Sequence, residues 1–120
     1  MGDKMLFDVD GNRIGKMSYQ DNFEYYQDSL GDSFQSIIDL IYEMVEDKDV
    51  FNSAHLGSSA DWSSEPLKAV SSVCANEEES GMLFGLLVWY AMMEDNQQAW
   101  KFKPDDDPNR TFSGKYYWRV

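Results

Sequence analysis

The longest apolar stretch of this 120-residue chain is twelve residues, Met82 to Met93. A membrane span needs about twenty, so the stretch is expected to be a buried core element. Just ahead of it, Asn76 precedes Glu77, Glu78 and Glu79. Such a segment reads as an N-cap followed by carboxylates beside the positive end of a helix dipole. The helix they open, running through Met93, is apolar on nearly every side and should be the central helix of the fold.

Other elements follow from local pattern. Residues 5–17 alternate in the manner of a β-hairpin, with Asp10-Gly11 suited to a type I′ turn. Asp21 with Glu24 has the spacing of a capping box. Gly31-Asp32 marks a break or a restart, with Asp32 as a new N-cap. Phe34, Ile37, Ile38, Ile41, Tyr42 and Val45 keep a helical period. Residues 52–64, rich in Ser, Gly and Ala, read as a loop with at most a short helical turn. Ser64-Glu65-Pro66 starts a helix that turns Leu67, Val70, Val73 and Cys74 inward. Trp100, Phe102 and Tyr116-Tyr117-Trp118 favour strands, separated by a loop over Pro104 to Asn109. The expected class is α+β in a single domain, residues 1–120. An N-terminal hairpin and C-terminal strands would form a small antiparallel sheet, with three to four central helices packed on it.

Charge is unevenly distributed. Between Met17 and Trp100 lie sixteen acidic residues and two basic ones, Lys48 and Lys68, a formal charge of −14. The flanks carry eight basic and six acidic residues, which brings the whole chain to −12. Such a field repels nucleic acid and anionic membranes and favours a strongly positive partner. Aromatic residues make up 15% of the chain, which argues against a disordered acidic tail. Cys74 is the only cysteine, and no basic start followed by an apolar run marks a signal peptide. Leu6 stands where a myristoylation signal needs Ser or Thr. A cytoplasmic monomer that binds neither membrane nor nucleic acid directly is the expectation.

On a helical wheel Asp28, Asp32, Asp39, Glu43 and Glu46 fall within roughly 60° of one another, opposite Phe34, Ile37, Ile41 and Val45. In one helix they would form a line about 27 Å long. A solvated polar face is the plain alternative for any such run. Ordinary solvated helices mix signs, however, because opposite charges four residues apart stabilise the helix by about 0.2–0.5 kcal/mol. This face has no Lys or Arg at that spacing. Carboxylates held in a row match the sign and scale of nucleic-acid phosphates, so they can engage the same Lys and Arg groups. Glu77, Glu78 and Glu79 would be a second patch, with helix-dipole stabilisation as their simpler role. Asp105, Asp106 and Asp107 sit near Lys101, Lys103 and Arg110, which can neutralise them.

In its length, acidity, aromatic content and charge pattern the chain resembles the small bacterial and phage DNA-mimic proteins, among them the type that binds the histone-like protein HU. The resemblance implies a regulator that occupies the DNA-binding surface of a basic protein. The aromatic and basic tail departs from the most acidic mimics. An immunity protein that inhibits a basic nuclease toxin is the alternative. A structural subunit whose acidic face serves solubility is a third reading.

Chemistry of other kinds is poorly represented. Asp8-Val9-Asp10-Gly11-Asn12 resembles the start of a calcium loop, but Arg13 and Tyr19 stand where Gly and Glu are needed. With only His55 and Cys74, a zinc site of the usual ligands cannot be assembled without carboxylates. Gly57-Ser58-Ser59 does not match a nucleophile elbow. No catalytic residues, metal or cofactor are expected, and the chain does not read as an enzyme. Trp62, beside Asp61, is either an interface anchor or a core residue.

Overall fold

The apolar run lies within a helix of 18 residues, Glu77–Glu94, whose N-cap is Asn76 as expected. The computed structural model describes residues 6–17, 19–95, 97–104 and 114–120. In chain order these form β1 (Leu6–Phe7), β2 (Arg13–Ile14), α1 (Gln20–Leu30), α2 (Ser33–Val45), β3 (Val50–Asn52), α3 (Ser53–Ser59), α4 (Leu67–Ser72), α5 (Glu77–Glu94), β4 (Trp100–Pro104) and β5 (Lys115–Arg119). The chain is α+β.

Helices α1 to α4 all contact α5, whose Leu87, Val88, Ala91 and Met92 are fully buried. The helical period of α2 buries Phe34, Ile37, Ile38, Ile41 and Val45. Truncating one such isoleucine to alanine costs about 2–5 kcal/mol. Phe23 docks α1 onto this layer, with its ring centroid 5.8 Å from Phe34 and 5.3 Å from Tyr90.

The sheet has the order β2-β1-β4-β5-β3. It is mixed, which corrects the antiparallel expectation: β1 runs parallel to β4, with Leu6 opposite Trp100. Parallel neighbours need a crossover, and here the whole helical layer intervenes between the two strands. Side chains alternate across the sheet. Leu6, Phe51, Trp100, Phe102 and Tyr117 are buried, on the face that meets α5 through Trp89 and Phe102, 4.9 Å apart.

Several local expectations are corrected. The presumed loop over residues 52–64 contains the end of β3 and all of α3, so the described residues hold five helices rather than three to four. Asn52 ends the strand in an extended conformation and its side chain accepts from the Ala54 and His55 amides, at 2.8 and 3.3 Å. That cap starts a helix which composition hid. Gly114 passes so close that a Cβ there would lie 2.5 Å from the Ala54 nitrogen. The first turn is not type I′, because Gly11 (φ 85°) has a positive φ and Asp10 does not. Instead the Asp8 carboxylate accepts from the amides of Asp10 and Asn12, both at 2.9 Å. The Asn12 amide leads the contacts that hold the Asp8 carboxyl below its ordinary range.

Asp21 lies inside the first turn of α1, and the N-cap position belongs to Tyr19 (φ 54°) with no side-chain cap. The capping box is therefore not formed, and Glu24 accepts from Gln20 at 2.9 Å. Gly31 (φ 54°) separates α1 from α2, and Asp32 occupies the α2 N-cap without a side-chain hydrogen bond. Pro104 closes β4; the rest of the expected 104–109 loop, including Asp105, Asp106 and Asp107, falls outside the described residues. No helix among the described residues is long and apolar enough to cross a membrane.

Candidate acidic interface

The break at Gly31 divides the expected row of carboxylates. Asp28 belongs to α1, Asp32 to the junction, Asp39 to the middle of α2, and Glu43 and Glu46 to its end. A single 18-residue line is therefore not what the chain builds. The α2 portion keeps its geometry, since Glu46, the C-cap, still has helical angles (φ −55°, ψ −40°). Asp39 to Glu46 covers seven residues, or about 10 Å of helix. All five side chains are exposed. Asp39 accepts from Gln35 at 2.9 Å, and no ion pair involves any of the five among the described residues.

Glu43 and Glu46 are joined by two acids that sequence reasoning missed. A groove of about 570 Å³ lies between the C-terminal ends of α2 and α5, and Glu43, Glu46, Glu94 and Asp95 line it together with Tyr42 and Trp100. Neither helix has a basic residue in its last turn. Carboxylates there face the negative end of each helix dipole, a placement that costs stability. The signal was in the sequence: Glu94 and Asp95 end an apolar helix where cations are the rule. Asp95 is also structural, accepting from the Gln97 and Gln98 amides at 3.0 and 3.1 Å and from Trp100 Nε1 at 3.1 Å. Burial raises the Tyr42 hydroxyl pKa well above its ordinary value, and that hydroxyl donates to the Ala91 carbonyl at 2.7 Å.

Arg119 also lines this groove, and its hydrogen bonds go to the backbone and to an amide. Its guanidinium donates to the carbonyls of Val45 (2.9 Å), Glu46 (2.8 Å) and Lys48 (2.7 Å) and to Gln98 Oε1 (3.0 Å). It also lies 4.7 Å from the Trp100 ring centroid. Arg119 thus caps the open carbonyls at the end of α2, the role a helix usually gives to a residue of its own last turn.

The second patch divides by role. Glu77 and Glu78 are exposed in the first turn of α5. Glu79 is tied into the fold. Its amide donates to Asn76 Oδ1 at 2.9 Å, while its carboxylate accepts from the Ala75 amide at 3.2 Å and from the Tyr26 hydroxyl. The Tyr26 bond, then the Ala75 amide, hold the Glu79 carboxyl below its ordinary range, and the same bond pushes Tyr26 up to about 12.

Other candidates resolve into structure. Trp62 is half-buried, donates to the Gly57 carbonyl at 2.7 Å and packs 5.5 Å from Phe84. Cys74 is half-buried, and burial raises its thiol pKa. Among the described residues no group of three or more His, Cys, Asp or Glu is placed to hold a metal ion. The chain matches no protein-family model, no curated protein and no solved structure.

Proposed function

We propose that this chain is an acidic DNA-mimic protein of the cytoplasm. It binds the basic DNA-binding surface of a nucleic-acid-binding protein, of which histone-like HU is one, and blocks or regulates DNA binding there. It works as a monomer and without a cofactor. One observation carries the reading: Asp39, Glu43 and Glu46 share an exposed helix face with no ion pair among the described residues, and Glu43 and Glu46 stand at the helix end where carboxylates cost stability. A basic protein surface would restore that loss, and a rigid helix lowers the ordering cost of binding. Asp28 and Asp32 extend the surface beyond the break, and Glu77 and Glu78 form a separate patch. Glu79 is committed to the helix cap.

The test is competition. HU loaded on a labelled DNA fragment should release it as the chain is added, and the association should weaken steeply from low to physiological ionic strength. The triple reversal Asp39→Lys, Glu43→Lys, Glu46→Lys should abolish the effect. Salt-insensitive association, or DNA release by the reversed chain, overturns the reading. The concave acidic groove between α2 and α5 favours a second reading, an immunity protein seated on one basic nuclease. Inhibition of a single nuclease, with HU–DNA complexes undisturbed, decides for it.

A further inference from the structure

The five strands contain Arg13, Lys101, Lys103, Lys115 and Arg119 and not one carboxylate, in a chain with 22 acidic residues. Two of these cations, Lys115 and Arg119, point to the buried face, where they lie over Trp89 and Trp100. The other three share the outer face, and strand register sets each beside a ring. Arg13 pairs with Phe7, Lys101 with Trp118, and Lys103 with Tyr116. Lys101 also neighbours Phe7, and Trp118 neighbours Val50. One row, Arg13–Phe7–Lys101–Trp118–Val50, therefore crosses all five strands. Arg13 and Lys103 are exposed, Val50 is 60% exposed, and the three rings and Lys101 are half-buried. At the β3 edge the face runs into a groove of about 500 Å³ lined by Val50, Tyr116, Lys48 and His55 among others.

We propose that this outer face binds single-stranded nucleic acid. A ring beside a cation supplies what one unpaired nucleotide offers to bind, a base to stack and a phosphate to neutralise. The face repeats that unit three times; at two of them Arg13 and Lys103 lie 5.8 Å from the Phe7 and Tyr116 ring centroids and swing aside when a base stacks. Trp118 and Tyr116 lie two residues apart on one strand, about 7 Å, so two such units stand next to each other. An acidic peptide would use the cations and leave the rings idle. A duplex would offer phosphates with its bases stacked away. The acids of the helical layer are screened from this face, since exposed charges fade beyond about 8 Å at physiological salt. Asp8 and Asp49 adjoin the row at Phe7 and Val50, and Asp8 is turned onto the Asp10 and Asn12 amides. The inference is independent of the DNA-mimic reading, which uses the helical side.

The experiment titrates the full chain with a short oligothymidylate, an abasic oligomer of equal length, and a duplex. The thymidylate should bind and the abasic strand should bind at least about fivefold more weakly, since one stacked base contributes about 1–3 kcal/mol. Three phosphate contacts give a log K against log salt slope of about −2 for a single strand. Trp118→Ala should remove about fivefold or more, with Trp118→Phe retaining part of it. Arg13→Gln and Lys103→Gln change exposed residues, so they test the face even if Trp118→Ala unfolds, and each should flatten the slope by about 0.7. No binding of thymidylate at low salt, equal binding of the abasic strand, or equal binding of duplex overturns the proposal. Failure of HU competition would leave it untouched, and these sheet variants should leave HU competition unchanged.

Discussion

The helical layer and the sheet handle charge in opposite ways. The strands hold cations without carboxylates, and four of those cations lie over rings: Arg13 on Phe7, Lys103 on Tyr116, Lys115 on Trp89 and Arg119 on Trp100. The helices hold nine of the 22 acids and only one of the lysines and arginines, Lys68, and the acids along α2 are left to solvent. A cation stacked on a ring, or donating to helix carbonyls as Arg119 does, is a poor counter-ion for a distant carboxylate. The sheet therefore stabilises itself without neutralising the helices, and the acidic surface survives folding. The same contrast recurs on a smaller scale within the helices. Glu79 at the start of α5 is bonded and stabilising, whereas Glu43 and Glu46 at the end of α2 oppose the dipole.

The strongest challenge to this comparison is Arg119→Ala. It removes four hydrogen bonds from a charged donor and leaves helix carbonyls uncapped, so denaturation should show a loss of at least about 2 kcal/mol. Arg119→Lys should recover little, since an ammonium cannot reproduce the planar fork. An unchanged midpoint would mean that sheet and helices are not coupled through this cap. Next in size, Asn76→Ala should cost about 1 kcal/mol through loss of the α5 cap. Smaller and of opposite sign, Glu43→Gln with Glu46→Gln should raise stability by about 0.3–1 kcal/mol. The same pair should weaken association with a basic partner. A gain in stability with no loss of binding would sever the link between acidic surface and function.

The subtlest effects are in pH. Glu79 has a depressed carboxyl, so its contribution is present above its unfolded value of about 4.5 and is lost as pH falls through the folded one. Acid denaturation of Glu79→Gln should accordingly be flatter than that of the native chain below about pH 4.5. Tyr26 is raised from 10.0 to about 12. Its neutral form is the stabilised one, so its contribution is present below pH 10 and fades toward pH 12. Thermal melts of Tyr26→Phe across that range should lose the alkaline slope that this pair adds.

Much of the helical layer was legible before any coordinates. The spacing of Phe34, Ile37, Ile41 and Val45 and the Asn76 cap are local patterns, and local patterns survive into the fold. The segment after Val50 was not legible, because α3 depends on an Asn52 cap and on Gly114 arriving from the far end of the chain. The acidic row was legible only in part. The helical period that aligns it runs through α2 and breaks at Gly31, where a positive φ ends one helix before the next begins. Glu94 and Asp95 were visible as residues, yet their meeting with Glu43 and Glu46 depends on where two helices end in space.

By itself the sequence determined an α+β chain with a buried central helix, an amphipathic partner helix and a concentration of negative charge. Those properties follow from composition and from periods of a few residues, which need no distant contact. Only the tertiary structure decided that the sheet is mixed, that its strands exclude carboxylates, and that its cations and rings meet in register. Such arrangements come from pairing residues far apart in sequence, and no local period records which strands will become neighbours.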